Sequence, residues 1–576
     1  MVEELGKKAI DDVITCIETN KNFILEAGAG AGKTHTLIEL INYIKNRNTS
    51  TNLFNKNTNI LCITFTNVAK DEIFKRLLNK ENITIATMHE FLWEFISPFQ
   101  NELRKQVEII IEDEIKKIDK KIDDTNRILL KPRRNTNIEK KNEELVKELK
   151  KKSKYVERNY KTVKYENYRA LHKGIISHND LLRISKELFK NKLFSNIFID
   201  SYSHVFIDEF QDTNKDLLTS LLEVINEQKG EKQFVIGLFG DKMQQIYDGG
   251  ISNIDNSFYG LEYIEKKENY RSCNEIVWAN NLLRRDEFLQ EPKSEEVIFD
   301  RLIFIYNLNE DKYLKRYAHI ESNTYTRFFL THKEIALELG FSSISVLFSE
   351  EYNNYSNDKL LKLEDEIIKY ILEEIVFIIK EYENKNYNLI ISRQKAKVVN
   401  FESLRKLNQD MNDIVKSGKL ILKDVVNKLI EMKIIDKTKL NTIIKSYEDR
   451  DKIDFIDSLM NIELKEFLFL YSQIFENTGL RTLHGVKGEE FEKVIINIDE
   501  NSTWTNYNFC NLFKNGLENE NFISRKTHRL FYVGCTRAKQ SLVINFINNI
   551  TNDIERKQII KNIKEFFGNE ITIDVY

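Results

Sequence analysis

The segment EAGAGAGKT, residues 26–34, constrains the fold more than any other part of this chain. It follows the short apolar run FILEA and precedes THTLIELINYI, whose apolar spacing predicts a helix. Glycines in such a turn let backbone N–H groups face phosphate oxygens, while the lysine reaches the β and γ phosphates and the threonine binds Mg²⁺. An ordinary strand-to-helix turn is the alternative. The predicted phosphate-binding residues are Ala27, Gly28, Ala29, Gly30, Ala31, Gly32, Lys33 and Thr34.

A second segment, HVFIDEFQD at 204–212, ends an apolar run with two adjacent acidic residues. Asp208 is placed to hold Mg²⁺, and Glu209 to orient or deprotonate a water that attacks the γ phosphate. Adjacent carboxylates at a strand end repel each other, so their occurrence beside a phosphate loop favours a catalytic role. The two segments together predict hydrolysis of ATP.

Several short apolar runs rich in β-forming residues precede helical patterns, as is typical of parallel sheets covered by helices. They fall into an early and a late group, which predicts an α/β protein with two parallel-sheet domains separated by mainly helical stretches. The predicted strands are 23–27, 60–65, 204–208, 234–240, 494–498 and 541–546.

Composition limits the classes of protein to which this chain can belong. The 576 residues allow roughly three to five domains, and 41% hydrophobic with 31% charged residues indicates a globular chain. No run is apolar and long enough to cross a membrane, and the five cysteines form no CxxC pair. A reducing cytoplasm is therefore expected. Because the net charge is only -3, any nucleic-acid site must be a local basic region.

One such local candidate is the segment 131–173, which holds fifteen Lys or Arg against six Glu, with tyrosines interleaved. This composition suits a nucleic-acid backbone. A solvated, lysine-rich helical insertion is the alternative.

Seven segments in order resemble superfamily 1A DNA helicases of the UvrD, PcrA and Rep group: ITFTNVAKDEI, ATMHEF, FIDEFQDT, GDKMQQIY, NYRS, TLHGVKGEEF and YVGCTRAK. The resemblance implies two RecA-like motor domains, each with a mainly helical insertion. On that basis 1–99 and 176–285 form motor domain 1A, 100–175 insertion 1B, 286–385 and 476–576 motor domain 2A, and 386–475 a short insertion 2B.

The resemblance also implies roles around ATP. Gln244 and Arg271 match residues that contact the γ phosphate, and Tyr270 matches the tyrosine that stacks on adenine. Glu490 matches a glutamate near the ribose, and Arg537 matches the arginine finger, which stabilises transition-state charge. Taken singly, each residue also fits a structural role in a core, turn or surface ion pair.

Single-stranded DNA is the partner that the family implies, bound by stacking on aromatic side chains without reading of sequence. Tailed double-stranded DNA would be unwound from its single-stranded end. The histidines also fit hydrogen-bonded structural roles. The matching residues are Phe65, Thr66, Asn67, Thr87, His89, Tyr247 and His484.

The chain departs from the family pattern at two places. Gly249 and Gly250 stand where the family usually has Trp and Arg after the IY of the third motif, so one stacking platform is missing. Losing it removes about 1 to 3 kcal/mol of binding to a base unless another aromatic compensates. The family also commonly has an amino-terminal glutamine that reads adenine, and no Gln precedes Gln100.

Two functions follow. The first is an ATP-dependent 3′ to 5′ DNA helicase or translocase. The second is a DNA-activated NTPase that senses DNA or regulates a nuclease subunit, because the chain also resembles the compact helicase-like subunits of anti-phage systems such as Gabija. A non-catalytic scaffold would require decayed motifs, whereas Lys33, Asp208, Glu209 and Arg537 are all present.

Since the adenine-reading glutamine is missing, we predict that GTP and other NTPs are hydrolysed within several-fold of ATP. Steady-state hydrolysis of each nucleotide in the presence of single-stranded DNA measures this, and strict selectivity for ATP would contradict it.

Overall fold

The computed structural model describes most of the chain, and for a few residues the backbone alone. The described residues are 2–50, 59–77, 80–132, 137–166, 168–227, 234–251, 254–293, 302–307, 325–353, 356–393, 401–416, 419–449, 452–500, 506–516, 521–548, 550, 552–568 and 571–575. Within these ranges, only the backbone is described for residues 2–7, 47–50, 225–227, 307, 393 and 403. The chain divides into two compact units, Met1–Val297 and Ile298–Tyr576.

The first unit contains a six-stranded parallel sheet with strand order β3-β2-β6-β7-β1-β8. Two further pairs of very short strands lie outside it. The strands of this unit are β1 Asn22–Ala27, β2 Asn59–Thr64, β3 Ile83–Thr87, β4 Lys164–Tyr165, β5 Ile175–Ile176, β6 Tyr202–Asp208, β7 Val235–Gly240, β8 Leu261–Lys266, β9 Glu268–Asn269 and β10 Glu291–Pro292.

Helices cover this sheet, and two long ones form most of the stretch 100–175. In α5, buried residues recur every three to four positions, including Leu103, Val107 and Ile110, which gives the helix one apolar face. The helices are α1 Val2–Glu18, α2 Lys33–Ser50, α3 Asn67–Arg76, α4 Met88–Ile96, α5 Gln100–Leu130, α6 Ile138–Val156, α7 His178–Phe189, α8 Lys192–Ser201, α9 Lys215–Glu227, α10 Asn256–Tyr259 and α11 Asn274–Arg284.

The second unit contains another six-stranded parallel sheet, with strand order β13-β12-β14-β15-β11-β16. Its strands are β11 Leu302–Asn307, β12 Thr326–Phe329, β13 Leu480–Thr482, β14 Phe491–Asp499, β15 Ala538–Ile547 and β16 Thr572–Val575. The predicted fold class, α/β with two RecA-like parallel sheets, is therefore confirmed.

A helical region with its own apolar core lies between β12 and β13, and it includes one π-helical stretch, Ile371–Val376. The helices of this unit are α12 His332–Leu339, α13 Ser342–Tyr352, α14 Ser356–Leu361, α15 Glu366–Tyr370, α16 Phe377–Glu383, α17 Tyr387–Arg393, α18 Phe401–Lys416, α19 Leu422–Glu431, α20 Lys437–Glu448, α21 Ile453–Met460, α22 Leu464–Phe475, α23 Phe509–Asn515, α24 Phe522–Cys535 and α25 Asp553–Phe567.

The division between the units falls twelve residues beyond the predicted start of the second motor domain at 286. The reason is the pairing of β10 with β9, which attaches residues 291–292 to the first unit. Of the basic segment 131–173, residues 133–136 and 167 lie outside the described part of the chain. No helix in the described ranges has the length and hydropathy needed to cross a membrane.

Candidate nucleotide and DNA site

The phosphate loop joins the carboxyl end of β1 to the first residue of α2. Gly30 and Gly32 adopt φ values of +77° and +78°, which glycine reaches without steric cost. The Lys33 ammonium donates to the Ala27 carbonyl at 3.2 Å and lies 3.5 Å from Glu209 Oε1. The loop therefore closes around Lys33 and brings it to the acidic pair.

The acidic pair follows the carboxyl end of β6, two strands from β1. Asp208 is buried, and its Oδ1 accepts a hydrogen bond from the Glu209 backbone N–H at 3.0 Å. Glu209 has φ +51°, a left-handed conformation that is uncommon for glutamate and costs of order 1 kcal/mol or more. The Gln211 side-chain amide donates to Glu209 Oε2 and so holds the carboxylate on the side of Lys33.

A third strand, β7, delivers Gln244 to the same edge of the sheet. The Gln244 amide donates to Asp241 Oδ2 at 2.9 Å, and the Asp241 backbone N–H donates to Gln211 Oε1 at 3.2 Å. Gln211 is thus hydrogen-bonded both to Glu209 and to the segment that carries Gln244. Glu209 and Gln244, which are both predicted to act at the γ phosphate, therefore belong to one hydrogen-bonded network.

Tyr270 and Arg271 approach the phosphate loop from the segment after β9. The Tyr270 backbone N–H donates to the Gly30 carbonyl at 2.9 Å, and the Tyr270 ring remains 53% exposed. A Cβ added to Gly30 would lie 2.6 Å from the Arg271 Cβ, which shows how closely the two backbones pack. Tyr270 and Arg271 therefore lie against the phosphate loop.

The aromatic part of the predicted DNA path is also present in this unit. The rings of Phe65 and Tyr247 lie 4.8 Å apart with planes inclined by 31°. Phe65 is 38% exposed, so one partner of the pair can meet a base. Offset pairs at this distance are favourable and orient both rings.

Other residues of the predicted path cap helices. The Thr66 hydroxyl accepts from the Ala69 N–H at the start of α3, where Asn67 is the first residue. Thr87 forms a capping box with Glu90 at the start of α4. These caps stabilise the helix ends, typically by about 1 kcal/mol each, so the path residues have a structural role as well.

The two histidines of the path favour the neutral form. Burial, and then the neighbouring His178 at a ring distance of 5.0 Å, lowers the pKa of His89. Burial, followed by Lys526 and His332, lowers the pKa of His484 to about 4, and its Nε2 lies 2.7 Å from the Tyr507 hydroxyl. At neutral pH both offer rings and hydrogen bonds rather than positive charge.

Three predicted residues belong to the second unit: Arg537, Glu490 and His484. Arg537 is nearly fully buried and donates to the Val533 carbonyl at 3.0 Å, the Glu489 carbonyl at 3.3 Å and the Thr536 hydroxyl at 2.9 Å. Glu490 pairs with Lys539 at 3.0 Å.

Sequence reasoning missed a buried ionic network beneath the phosphate loop. Arg284 Nη1 donates to Asp241 Oδ1 at 2.8 Å, and its Nη2 lies 3.6 Å from Glu26 Oε1. Burial, and then the nearby Asp241, raises the pKa of Glu26 to about 7. Burial opposes ionisation of Asp241 as well, but Arg284 and Lys33 lower the pKa of that carboxyl. A glutamate inside the otherwise apolar run FILEA was the available signal.

Thr34 and Asp208 supply the hydroxyl and carboxylate oxygens that Mg²⁺ accepts in nucleotide sites, where phosphates complete the coordination. Asp208 is 5% exposed and stands at the sheet edge beside the loop that begins α2. The donor set therefore fits Mg²⁺. A bound ion would neutralise charge on the phosphates.

Gly249 lies in a turn with φ +87°, and an added Cβ there would meet no atom within 4 Å. At Gly250 an added Cβ would overlap the Gln211 carbonyl, so that position requires glycine. Packing therefore favours glycine at position 250, and the positive φ favours glycine at position 249.

A phosphate loop, an acidic strand end and a glutamine in the turn after the neighbouring strand, in a chain with two RecA-like sheets, define a P-loop nucleotide-binding protein. The UvrD/REP helicase N-terminal domain matches residues 7–257, and the UvrD-like helicase C-terminal domain matches residues 298–549. The chain belongs to the UvrD/Rep family of superfamily 1 DNA helicases.

Three similar proteins match this chain over nearly their whole length. Gabija protein GajB of Bacillus cereus is 28% identical over 98% of this chain and 97% of its own. DNA helicase II of Rickettsia typhi is 26% identical over 97% and 94%, respectively. ATP-dependent DNA helicase Rep of Buchnera aphidicola subsp. Schizaphis graminum is 24% identical over 91% and 90%.

Replacement of Glu26 by glutamine tests the buried network. Because the folded-state pKa of Glu26 is about 7 and its ordinary value 4.5, its stabilising contribution is complete below pH 4.5 and is lost as the pH rises toward 7. We expect Glu26→Gln to remove a pH-dependent part of the free energy of unfolding, on the order of 1 to 3 kcal/mol.

Urea unfolding at several pH values between about 5 and 8 measures this. The control is Glu223→Gln, at an exposed glutamate of α9. Equal pH dependence for wild type and Glu26→Gln would contradict the assignment.

Proposed function

We propose that this protein is an ATP-dependent DNA helicase or translocase that moves 3′ to 5′ along single-stranded DNA. The observation that carries the proposal is the position of Lys33 between the phosphate loop and Glu209, 3.5 Å from the carboxylate. A nucleotide that bound this loop would meet a cation for its phosphates and a carboxylate for water at one place. ATP with Mg²⁺ is the proposed cofactor pair.

The residues around the γ phosphate divide the chemistry. Lys33 neutralises the β and γ phosphates, and Glu209 orients or deprotonates the attacking water. Gln244, held by Asp241, senses the γ phosphate, and Arg271 contacts it. Thr34 and Asp208 hold Mg²⁺.

Three further residues have proposed roles in nucleotide binding and hydrolysis. The exposed ring of Tyr270 stacks on the base, and Glu490 approaches the ribose. Arg537 acts as the arginine finger, which stabilises transition-state charge. In this proposal, motor domain 1A comprises residues 1–99 and 176–285, and motor domain 2A comprises residues 286–385 and 476–576. The helical insertions 1B and 2B comprise residues 100–175 and 386–475.

DNA binds through neutral, mostly non-specific contacts. Phe65 and Tyr247 form the stacking platform, Thr66, Asn67 and Thr87 line the backbone at two helix starts, and His89 and His484 add uncharged rings. Base stacking tolerates any sequence, so this path suits a translocase that advances through all sequences. The protein would act in the cytoplasm.

The second candidate is a DNA-activated NTPase that senses DNA or regulates a nuclease subunit in an anti-phage complex, with weak or no unwinding. Two observations favour it. Similarity to Gabija protein GajB extends over 97% of that protein, and the glycine turn at Gly249 provides no stacking residue.

The Lys33→Ala variant tests the nucleotide site. Loss of the ammonium removes the cation that binds the β and γ phosphates, so we expect DNA-stimulated hydrolysis to fall by a factor of at least about 10² while single-strand binding stays within several-fold. Phosphate release and fluorescence anisotropy measure the two quantities. Hydrolysis at the wild-type rate would show that the site is wrongly assigned.

The same wild-type preparation on 3′-tailed, 5′-tailed and blunt DNA separates the two candidates. Strand displacement restricted to the 3′-tailed substrate supports the helicase. Hydrolysis stimulated by DNA ends without displacement supports the sensor, and co-purification of a nuclease would then identify its partner class.

The stacking platform generates a separate prediction. Tyr247→Ala and Phe65→Ala each remove one ring of the pair, and we expect single-strand affinity to fall roughly tenfold, whatever the base composition. Phe74→Ala, at a 49% exposed phenylalanine of α3, is the control. Unchanged anisotropy titrations for both variants would exclude this platform from the DNA path.

A further inference from the structure

Gln290 lies far along the chain from the phosphate loop, yet its side chain is packed against it. The Gln290 amide donates to the Ala29 carbonyl at 3.1 Å, across 261 residues of sequence. Only 3% of Gln290 is exposed. The same amide fills the space beside Gly28, where an added Cβ would overlap it.

Asn269 reaches the same carbonyl from another direction. Its Nδ2 donates to Ala29 O at 2.9 Å, while its Oδ1 accepts from the backbone N–H groups of Arg271 and Ser272, each at 2.9 Å. One buried asparagine thus connects the phosphate loop to the turn that presents Tyr270 and Arg271.

The backbone N–H and carbonyl of Gln290 are both hydrogen-bonded. Asn281 on α11 accepts from the Gln290 backbone N–H at 2.9 Å and donates to the Gln290 carbonyl at 2.8 Å. The next residue, Glu291, pairs with Glu268 in the short strand pair. Since both its backbone groups are fixed, the side chain acts from a defined position.

The peptide plane explains what this arrangement does. In a planar trans peptide, the Ala29 carbonyl and the Gly30 N–H point in opposite directions. Because the side-chain amides of Gln290 and Asn269 hold the Ala29 carbonyl, the Gly30 N–H points away from both of them. A phosphate loop depends on the direction of such N–H groups.

We propose that Gln290 is a positioning residue for the triphosphate: with Asn269 it fixes the Ala29–Gly30 peptide so that the Gly30 N–H faces the phosphates. This inference rests on the proposed nucleotide site and adds to it a residue outside the sequence motifs. It predicts an effect on nucleotide binding larger than the effect on the chemical step.

The test replaces Gln290 with methionine, which keeps the length of the side chain and removes the donor. We expect KM for ATP, and the dissociation constant of a ribose-labelled fluorescent ADP with Mg²⁺, to rise roughly two- to tenfold, as for the loss of one hydrogen bond. The kcat should change less than KM. Gln290→Glu should raise KM further, because a carboxylate would repel the Ala29 carbonyl oxygen.

Leu289→Ala is the matched control, since this neighbouring side chain is 55% exposed. Thermal unfolding of each variant reports its folding. A role in packing alone predicts unchanged nucleotide binding for the methionine variant, and that result would overturn the proposal.

A double-mutant cycle with Gly28→Ala keeps the proposal testable if the methionine variant folds poorly. The added Cβ would displace the Gln290 amide, so Gly28→Ala alone should raise KM as the Gln290 variants do. In a Gln290→Ala background the same change should add little further. Full additivity of the two effects would overturn the proposal.

The outcomes separate this inference from the proposed function. If Lys33→Ala abolishes hydrolysis but the Gln290 variants bind fluorescent ADP as wild type does, only the positioning role fails. If wild type binds no nucleotide, both fail.

Discussion

The parallel register of β1, β6 and β7 is the constraint on which the nucleotide site depends. It aligns Glu26 with Gly240 and Asp208 with Phe239, so the carboxyl ends of three strands finish in one row. The phosphate loop, the acidic pair and Asp241 all begin at that row. Carboxyl ends of parallel strands are where open α/β sheets bind ligands. A shift of register by one residue would turn these side chains to the other face.

Much of this could be predicted from the sequence. The six apolar runs that we assigned to strands are strands, and the two sheets are parallel, because runs buried on both faces and followed by helices have few other arrangements. Distant contacts made by residues outside the recognised motifs could not be predicted. Nothing in the local pattern of Gln290 or Arg284 indicates a partner at Ala29 or Glu26, since hydrogen bonding across more than 200 residues leaves no periodic signal. The capping roles of Thr66 and Thr87 were also missed, because motif matching assigns a residue one function at a time.

Two regions of the first unit differ in their electrostatics. Beneath the phosphate loop, buried carboxylates share Arg284, and burial with the nearby Asp241 holds the pKa of Glu26 near 7. Along the predicted DNA path, the Phe65–Tyr247 pair and the low-pKa His89 present uncharged surfaces. Strong, directional charge suits phosphate chemistry, which needs fixed geometry. Weak, non-directional stacking suits a strand that must be released and bound again. The difference between these two regions is consistent with the translocase proposed above.

The hydrogen bond from the Gln290 side chain to the Ala29 carbonyl has a consequence for biosynthesis. Asn269 and Gln290, whose side chains hold the Ala29 carbonyl, are translated 240 and 261 residues after Ala29. Such long-range contacts form slowly relative to local ones. A nascent chain that ends before residue 269 therefore contains the complete loop sequence without either of these two contacts. Nucleotide affinity should arise as a property of the finished first unit rather than of its motif.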